Sequence, residues 1–161
     1  MSVKDTSSEP AKDEETPHQR LARNVNELLS ELRVAQAGVQ ILFGFLLSVV
    51  FTAQFRQASG FEKGMHLVAV LLAAASTALL TSPAAWHRIL FRTGRRWQIL
   101  RAGNRAVLAG LACLAAAVTD TVALIAKVVY GPVAMITVGS LTGLLFIVLW
   151  FIVPIGMSRG D

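Results

Sequence analysis

Four long apolar stretches, separated by short polar connections, fill most of the chain after residue 33. A helix needs about 20 mainly apolar residues to cross the hydrocarbon core of a bilayer, and each stretch is near that length. The stretches cover residues 34–54, 65–82, 106–129 and 133–157. The pattern therefore predicts an all-α fold, that of a polytopic membrane protein with four transmembrane helices.

The chain before the first stretch has two parts. Residues 1–19 hold five acidic and two basic side chains and almost nothing apolar, and such a segment cannot bury enough surface to fold. We expect this acidic tail to be disordered and residues 20–161 to form the transmembrane domain. Thr16-Pro17 is typical of a helix N-terminus, and apolar residues then recur at helical spacing up to Leu32. The first helix should therefore begin as a cytoplasmic extension and continue into the membrane.

Two proline-containing signals predict where other helices begin. Ser82-Pro83 has the form of a cap followed by the first residue of a helix, and it predicts a short interfacial helix that ends at Thr93-Gly94. Tyr130-Gly131-Pro132 predicts a tight turn between the third and fourth spans. The four transmembrane helices are therefore expected to form two antiparallel hairpins.

Charge adds an orientation. Of the 161 residues, 54% are apolar and 16% are charged, which is below the charged share of about 25% in soluble proteins. Nine arginines flank the inner ends of the first three spans, whereas the opposite side offers only Arg56, Lys63 and Lys127. Because cytoplasmic loops carry the excess of Lys and Arg, both termini are predicted to be cytoplasmic.

The connection between the second and third spans is rich in arginine and predicts contact with lipid. The net charge of +5 lies in loops beside the membrane and not on a folded basic face, so nucleic acid is not an expected partner. Anionic lipid headgroups are expected partners, because basic clusters next to a span attract them, and tryptophan suits the same zone. The predicted headgroup contacts are Arg88, Arg92, Arg95, Arg96, Trp86 and Trp97.

Asp120 lies well inside the third apolar stretch, where a carboxylate is costly unless it is paired or protonated. It is a candidate intramembrane proton or cation site, and a structural hydrogen-bonding role is the alternative of equal weight. Lys127, seven residues further along, is too distant for direct contact and is expected to reach the outer interface. Polar residues at similar depth in the other spans are expected to form a polar ring with Asp120: Ser48, Ser76, Thr77, Ser140 and Thr142.

Two further groups concern the contacts between helices. Gln36 and Gln40 are one turn apart on the inner half of the first span, with Arg33 a turn below, which suits either a vestibule or, as we favour, interhelical hydrogen bonding. Gly139 and Gly143 form a GxxxG pair, which lets helices pack closely. Four spans enclose little room, so a transport path is expected to require a homo-oligomer.

One segment carries a family resemblance. The sequence NELLSELRVAQAGVQIL at residues 26–42, with GFLL at 44–47 and HRILFR at 87–92, resembles an uncharacterised family of small actinobacterial integral membrane proteins. The resemblance extends from about Leu21 to the C-terminus and leaves out the acidic tail. Some members of that family are labelled sodium:proton antiporters. The resemblance implies a protein of the bacterial cytoplasmic membrane and assigns no functional residue.

Two functional classes follow from these features. The first is a small oligomeric transporter or channel in which Asp120 handles protons or cations. The alternative is a non-catalytic protein that organises lipid or partner proteins through its Arg-rich cytoplasmic loop. We expect no enzymatic activity, cofactor or metal site, because the sequence has no nucleophile with a matching base and no spacing typical of metal ligands.

Overall fold

The computed structural model describes residues 17–90 and 96–157, and every regular element in those ranges is a helix. Four segments are long and apolar enough to cross a membrane: Leu32–Val49, Gly60–Trp86, Ala102–Tyr130 and Pro132–Met157. The prediction of an all-helical protein with four candidate membrane spans is therefore confirmed.

The helices are numbered in chain order. They are α1 (Pro17–Val49), α2 (Ala53–Gln57), α3 (Gly60–Leu90), α4 (Arg96–Tyr130), α5 (Pro132–Ile147), a π-helical turn (Val148–Ile152) and α6 (Val153–Met157). By its internal contacts the chain divides after Arg33 into two units, and the described part of the first unit is the beginning of α1. Residues 1–16 of the predicted acidic tail lie outside the described residues. All contacts discussed below lie within the second unit.

The apolar pattern predicted that the first span ends at residue 54, but the helix ends earlier. The helix α1 stops at Val49, and Thr52 adopts an extended backbone and begins α2. The hydroxyl oxygen of Thr52 accepts a hydrogen bond from the Phe55 amide at 3.2 Å, which caps the N-terminus of α2. The cap therefore sets the boundary, although the apolar pattern continues beyond it.

Pro83 does not begin a new helix, which corrects the prediction made at Ser82-Pro83. The helix α3 continues through Pro83 to Leu90. A proline inside a helix lacks the N–H that would bond the carbonyl four residues earlier, here that of Leu79. The Ser82 hydroxyl donates to this Leu79 oxygen at 2.9 Å, so the carbonyl that proline leaves free is satisfied. The predicted helix end at residues 93–94 lies outside the described residues.

The helices α3 and α4 pack closely through glycine. A Cβ atom added at Gly103 would lie 3.6 Å from Pro83, and one added at Gly110 would lie 2.9 Å from Leu80. Later residues of α4 contact earlier residues of α3, so the two helices are antiparallel. The fully buried Ser76 donates its hydroxyl to the Gly110 carbonyl at 2.8 Å. Glycine makes this approach possible because it has no side chain to hold the backbones apart.

The helix α5 packs against α4 across a connection of one residue. Gly131, with φ of +94°, joins the two helices, and the predicted tight turn is confirmed. A Cβ atom added at Gly139 would lie 3.0 Å from the Cβ of Ala123, and one added at Gly143 would lie 3.6 Å from Thr119. No side chain of α5 is buried. The two helices therefore approach each other closely at these two glycines, while the side chains of α5 stay at least partly exposed.

Small residues bring α1 against the other helices. Leu46 of α1 forms a buried apolar cluster with Ala69 and Ala73 of α3 and Ala117 of α4. Ala69 and Ala73 are one helical turn apart, and their short side chains leave space for the larger leucine. Leu46 therefore connects α1 to buried side chains of both α3 and α4.

Candidate functional site

Asp120 lies on α4 beside a groove between α4 and α5. Oδ2 of Asp120 is buried and has no hydrogen-bond partner among the described residues. A buried carboxyl oxygen without a donor carries an uncompensated desolvation cost, which is larger for the charged form than for the neutral acid. The groove has a volume of about 510 Å³, and small or apolar side chains make up nearly all of the rest of its lining: Ala112, Ala115, Ala116, Thr119, Ala123, Gly143, Phe146 and Ile147.

The groove exists because α5 presents glycine to α4 at this level. Gly143 lines it without contributing a side chain, and Gly139 lies one turn away against Ala123. Further along α5, Phe146 also lines the groove, and its ring packs edge to face on Trp150 with the centroids 5.0 Å apart. Of the two GxxxG glycines singled out from the sequence, Gly143 therefore lines the groove beside Asp120, and Gly139 packs against Ala123, which also lines it.

Ser76 and Thr77, which were expected to share a polar layer with Asp120, bond elsewhere. Ser76 donates to the Gly110 carbonyl. Thr77 donates to the carbonyl of Ala73 in its own helix at 2.9 Å. The protons of both hydroxyl groups are therefore used away from Asp120.

The remaining members of the expected ring also stay out of the groove. Ser48 is exposed and donates to the Gly44 carbonyl at 2.8 Å. Ser140 is exposed and Thr142 is part-buried, and neither lines the groove. Equal depth was the basis for the ring, but depth does not determine which side of a helix faces its neighbour. The described residues do not assemble a polar ring around Asp120.

In the inner polar group, Gln36 connects two helices. Its Nε2 donates to the main-chain carbonyl oxygen of Leu80 in α3 at 2.9 Å. Gln40 is exposed, and Arg33 is exposed within the first unit of the chain. The bond made by Gln36 is of the interhelical kind that we favoured over a vestibule.

The predicted headgroup contacts lie mostly outside the described part of the chain. Trp86 is part-buried near the end of α3. The contacts that fall outside are Arg92, Arg95 and the side chains of Arg88, Arg96 and Trp97. Binding of lipid by this connection stays a prediction.

An ion pair between α3 and α4 was missed by the sequence analysis. Nζ of Lys127 lies 2.8 Å from Oε1 of Glu62, and each side chain is 21% exposed. The amide of Ser59 donates to Oε2 of Glu62 at 2.8 Å, and the Ser59 hydroxyl accepts from the Glu62 amide at 3.3 Å. This reciprocal cap begins α3 and fixes the carboxylate. The Ser-x-x-Glu spacing is the signal that could have identified Glu62 in advance.

A second cavity lies beside this pair, where the connection around α2 meets α3 and α4. Its volume is about 390 Å³. His66 lines it, is 4% exposed, and has no hydrogen-bond partner for Nε2 among the described residues. The imidazole packs edge to face on Phe55, with the ring centroids 4.7 Å apart. The other walls are mainly apolar and include Phe45, Leu46, Val49, Leu124, Ile125 and Val128.

The described residues thus combine four membrane-length helices, a groove with an unpartnered carboxyl oxygen and a cavity with an unpartnered imidazole nitrogen. Within residues 17–90 and 96–157, no three His, Cys, Asp or Glu side chains come together in a way that could hold a metal ion. The four spans mark the chain as a multi-pass helical membrane protein. Residues 14–154 match a family of unknown function, DUF6328, and the chain belongs to that family. Comparisons with curated proteins and with solved structures found no match.

Proposed function

We propose that this protein is a small oligomeric membrane transporter in which Asp120 carries a transported or coupling proton or cation. The observation that supports the proposal is the buried, unpartnered Oδ2 atom of Asp120 in the groove between α4 and α5. Ionisable groups within a membrane are costly, and they commonly mark ion pathways or proton relays. The carboxyl group therefore has a cost that a transport role would explain.

The charges around Asp120 favour a proton as its usual occupant. Lys127, the nearest basic residue along α4, is already paired with Glu62. Gain or loss of a proton by Asp120 changes the charge in the groove by one unit. If two arrangements of α4 and α5 solvate the carboxyl group differently, this change alters their relative free energies. A proton-linked transporter needs this coupling between charge and packing.

We also propose that the working form is a homo-oligomer. Four helices leave little room for a solute path inside one copy. The groove lies beside α5, which has no buried side chain of its own. Packing of a helix from a second copy on this side would supply the missing wall and exclude lipid from the carboxyl.

Flux measurements in proteoliposomes test the transport proposal. With a pH gradient and an internal pH-sensitive dye, wild-type vesicles should move protons faster than vesicles without protein. Asp120→Asn should reduce the flux to the level of protein-free vesicles, because the amide keeps the shape of the side chain but cannot titrate. Ser140→Ala is the matched control, since Ser140 is an exposed polar residue of α5 outside the groove, and it should keep wild-type flux.

Two results would contradict the proposal at different levels. Equal flux in the wild type and in Asp120→Asn would remove Asp120 from the path. Wild-type flux no greater than that of protein-free vesicles, under proton, sodium and potassium gradients alike, would remove transport itself.

We propose that the protein lies in the cytoplasmic membrane of a bacterium, as the family resemblance implies, and that both termini are inside, because nine arginines flank the inner ends of the first three spans. In a Cys113→Ala background, an impermeant maleimide added outside intact cells should label Ser59→Cys. The same reagent should label Thr93→Cys only after the membrane is permeabilised. The reverse pattern would invert the topology.

The alternative function, organisation of lipid or partner proteins without catalysis, depends on the charge of the arginine-rich connection. Each arginine near an anionic surface contributes about 1 kcal/mol. Joint replacement by glutamine should therefore lower the amount of anionic lipid that copurifies, and unchanged lipid would favour a protein partner instead. The positions are Arg88, Arg92, Arg95 and Arg96.

A further inference from the structure

The cavity beside His66 is separate from the groove that holds Asp120. The two spaces share no lining residue. The walls of the His66 cavity come from the end of α1, from the connection between α1 and α3, from the first turns of α3 and from the last turns of α4. A ligand in this cavity would therefore contact α1, α3 and the connection between them, none of which lines the Asp120 groove.

The surroundings of His66 determine which of its ring nitrogens carries the proton. The main-chain carbonyl of Leu46 acts electrostatically on the imidazole as an acceptor. Because Nε2 has no partner among the described residues, the interaction with Leu46 falls to Nδ1. A carbonyl oxygen can only accept, so it favours the neutral tautomer with the proton on Nδ1. Nε2 then presents a lone pair and acts as an acceptor.

Of the other polar groups that line the cavity, Thr52, Thr121 and Glu62 are engaged elsewhere, and the exposed side chains of Gln54 and Gln57 make no hydrogen bond to Nε2 of His66. The Thr121 hydroxyl donates to the Ala117 carbonyl at 2.7 Å. Glu62 is a carboxylate occupied by Lys127 and by the amide of Ser59. Nε2 of His66 is therefore an acceptor in need of a donor at the edge of a largely apolar space. Such a buried acceptor is costly when it stays unpaired.

We infer that this cavity is a binding site for a neutral amphiphile with a hydroxyl group, such as a phenol or a quinol, whose O–H donates to Nε2 of His66. A volume of about 390 Å³ lies within the range of small-molecule sites, and the apolar walls suit a ring or an alkyl chain. A ketone or an ester would leave Nε2 unpaired because it has no donor. A cationic ligand would compete with Lys127 for Glu62, and an anionic ligand would meet the carboxylate of Glu62.

A matched pair of probes tests the inference. In nanodiscs, 4-nonylphenol and 4-nonylanisole share their ring and chain, but only the phenol has a proton to donate. Both should raise the thermal unfolding midpoint of the protein because both fill the cavity. The phenol should reach the same shift at a concentration about five- to tenfold lower, as expected for one hydrogen bond.

Three variants locate the effect. His66→Phe keeps an aromatic ring against Phe55 and removes the acceptor, so the two probes should become equivalent. Ser76→Ala changes another buried polar residue, outside the cavity, and should keep the difference between the probes. Ala58→Trp fills the cavity from its rim and should abolish the response to both probes.

Each contrary result overturns a definite part of the inference. Equal potency of the two probes on the wild type removes the hydrogen bond, even if His66→Phe does not fold. A preference for the phenol that persists in His66→Phe removes His66 as the acceptor. An undiminished response in Ala58→Trp places the binding site elsewhere. None of these results depends on ion flux, so failure here is distinguishable from failure of the transport proposal.

Discussion

The helix α4 packs against α3 and against α5, and its polar groups have different surroundings at these two contacts. Towards α3, the Gly110 carbonyl receives the hydroxyl of Ser76, and Lys127 pairs with Glu62. Towards α5, Oδ2 of Asp120 has no partner and lies beside an open groove. At these two contacts the side of α4 that faces α3, here called the closed side, has paired polar groups, whereas the side that faces α5, the open side, has space and an unsatisfied carboxyl oxygen. A change of charge on α4 is more easily accommodated by a change of packing against α5 than against α3.

The largest expected effect follows from filling the closed side. Gly110→Val should lower the free energy of unfolding by about 3 kcal/mol, because its Cβ would lie 2.9 Å from the buried Leu80. The matched change on the open side, Gly143→Val, should alter stability by less than about 1 kcal/mol, because its Cβ would lie at ordinary contact distance, 3.6 Å from Thr119, and the groove beside it has room for the two methyl groups. Unfolding in detergent compares the two, and equal losses would show that the two sides are packed alike.

Next in size is the ion pair on the closed side. Lys127→Met leaves the Glu62 carboxylate without its cation at a site that is 21% exposed, and it should lower stability by less than Gly110→Val and by more than Ser76→Ala. The double variant Lys127→Met/Glu62→Gln should cost less than the sum of the two single changes. A double-mutant cycle measures this coupling, and strict additivity would mean that the pair contributes nothing to stability.

A smaller loss is expected from Ser76→Ala. The change removes a fully buried hydroxyl and its bond to the Gly110 carbonyl, and should cost about 1 kcal/mol. Thr77→Val is its neighbour and control, because the Thr77 hydroxyl bonds only within its own helix. Should Thr77→Val be the more harmful of the two, the hydrogen bond between α3 and α4 would not be the stabilising one.

The smallest effect is expected on the open side, at Asp120. Because Oδ2 has no partner to lose, Asp120→Asn should change the free energy of unfolding by less than about 0.5 kcal/mol. Thermal unfolding of the variant beside the wild type measures this directly. A loss comparable to that of Lys127→Met would mean that the carboxyl is a structural group, and the contrast between the two sides of α4 would disappear.

Much of the fold could be predicted from the pattern of the sequence. Membrane spans follow from the length of apolar runs, and the turn at Gly131 follows from Gly-Pro chemistry, so both are local properties. The end of α1 and the path through Pro83 could not be predicted in the same way. Each depends on one hydroxyl group, that of Thr52 or of Ser82, whose bond decides whether a helix begins or continues.

The candidate site was predictable only in part. Asp120 stands out because a carboxyl group is rare in an apolar run. The neighbours of Asp120 could not be predicted, because the rotation of each helix about its axis decides which residues meet. Ser76 and Thr77 donate their hydroxyl protons to main-chain carbonyls and not to Asp120. Glu62 and Lys127 are 65 residues apart in sequence, and their contact depends on the register between α3 and α4.

Gly131 is the one residue between α4 and α5, so it forms a hinge that allows little translation of one helix relative to the other. The Gly131 amide donates to the Lys127 carbonyl at 2.9 Å, and the Met135 amide donates to the Gly131 carbonyl at 3.2 Å, so the pivot is anchored in both helices. Relative motion of the two helices is then a rotation about Gly131, with the least displacement at that residue. Asp120 is eleven residues from it, so a tilt of about 10° opens a gap of about 3 Å at a lever arm of about 16 Å. That gap is about the diameter of a water molecule, so a tilt of α5 by this angle is enough to let water reach the carboxyl group of Asp120.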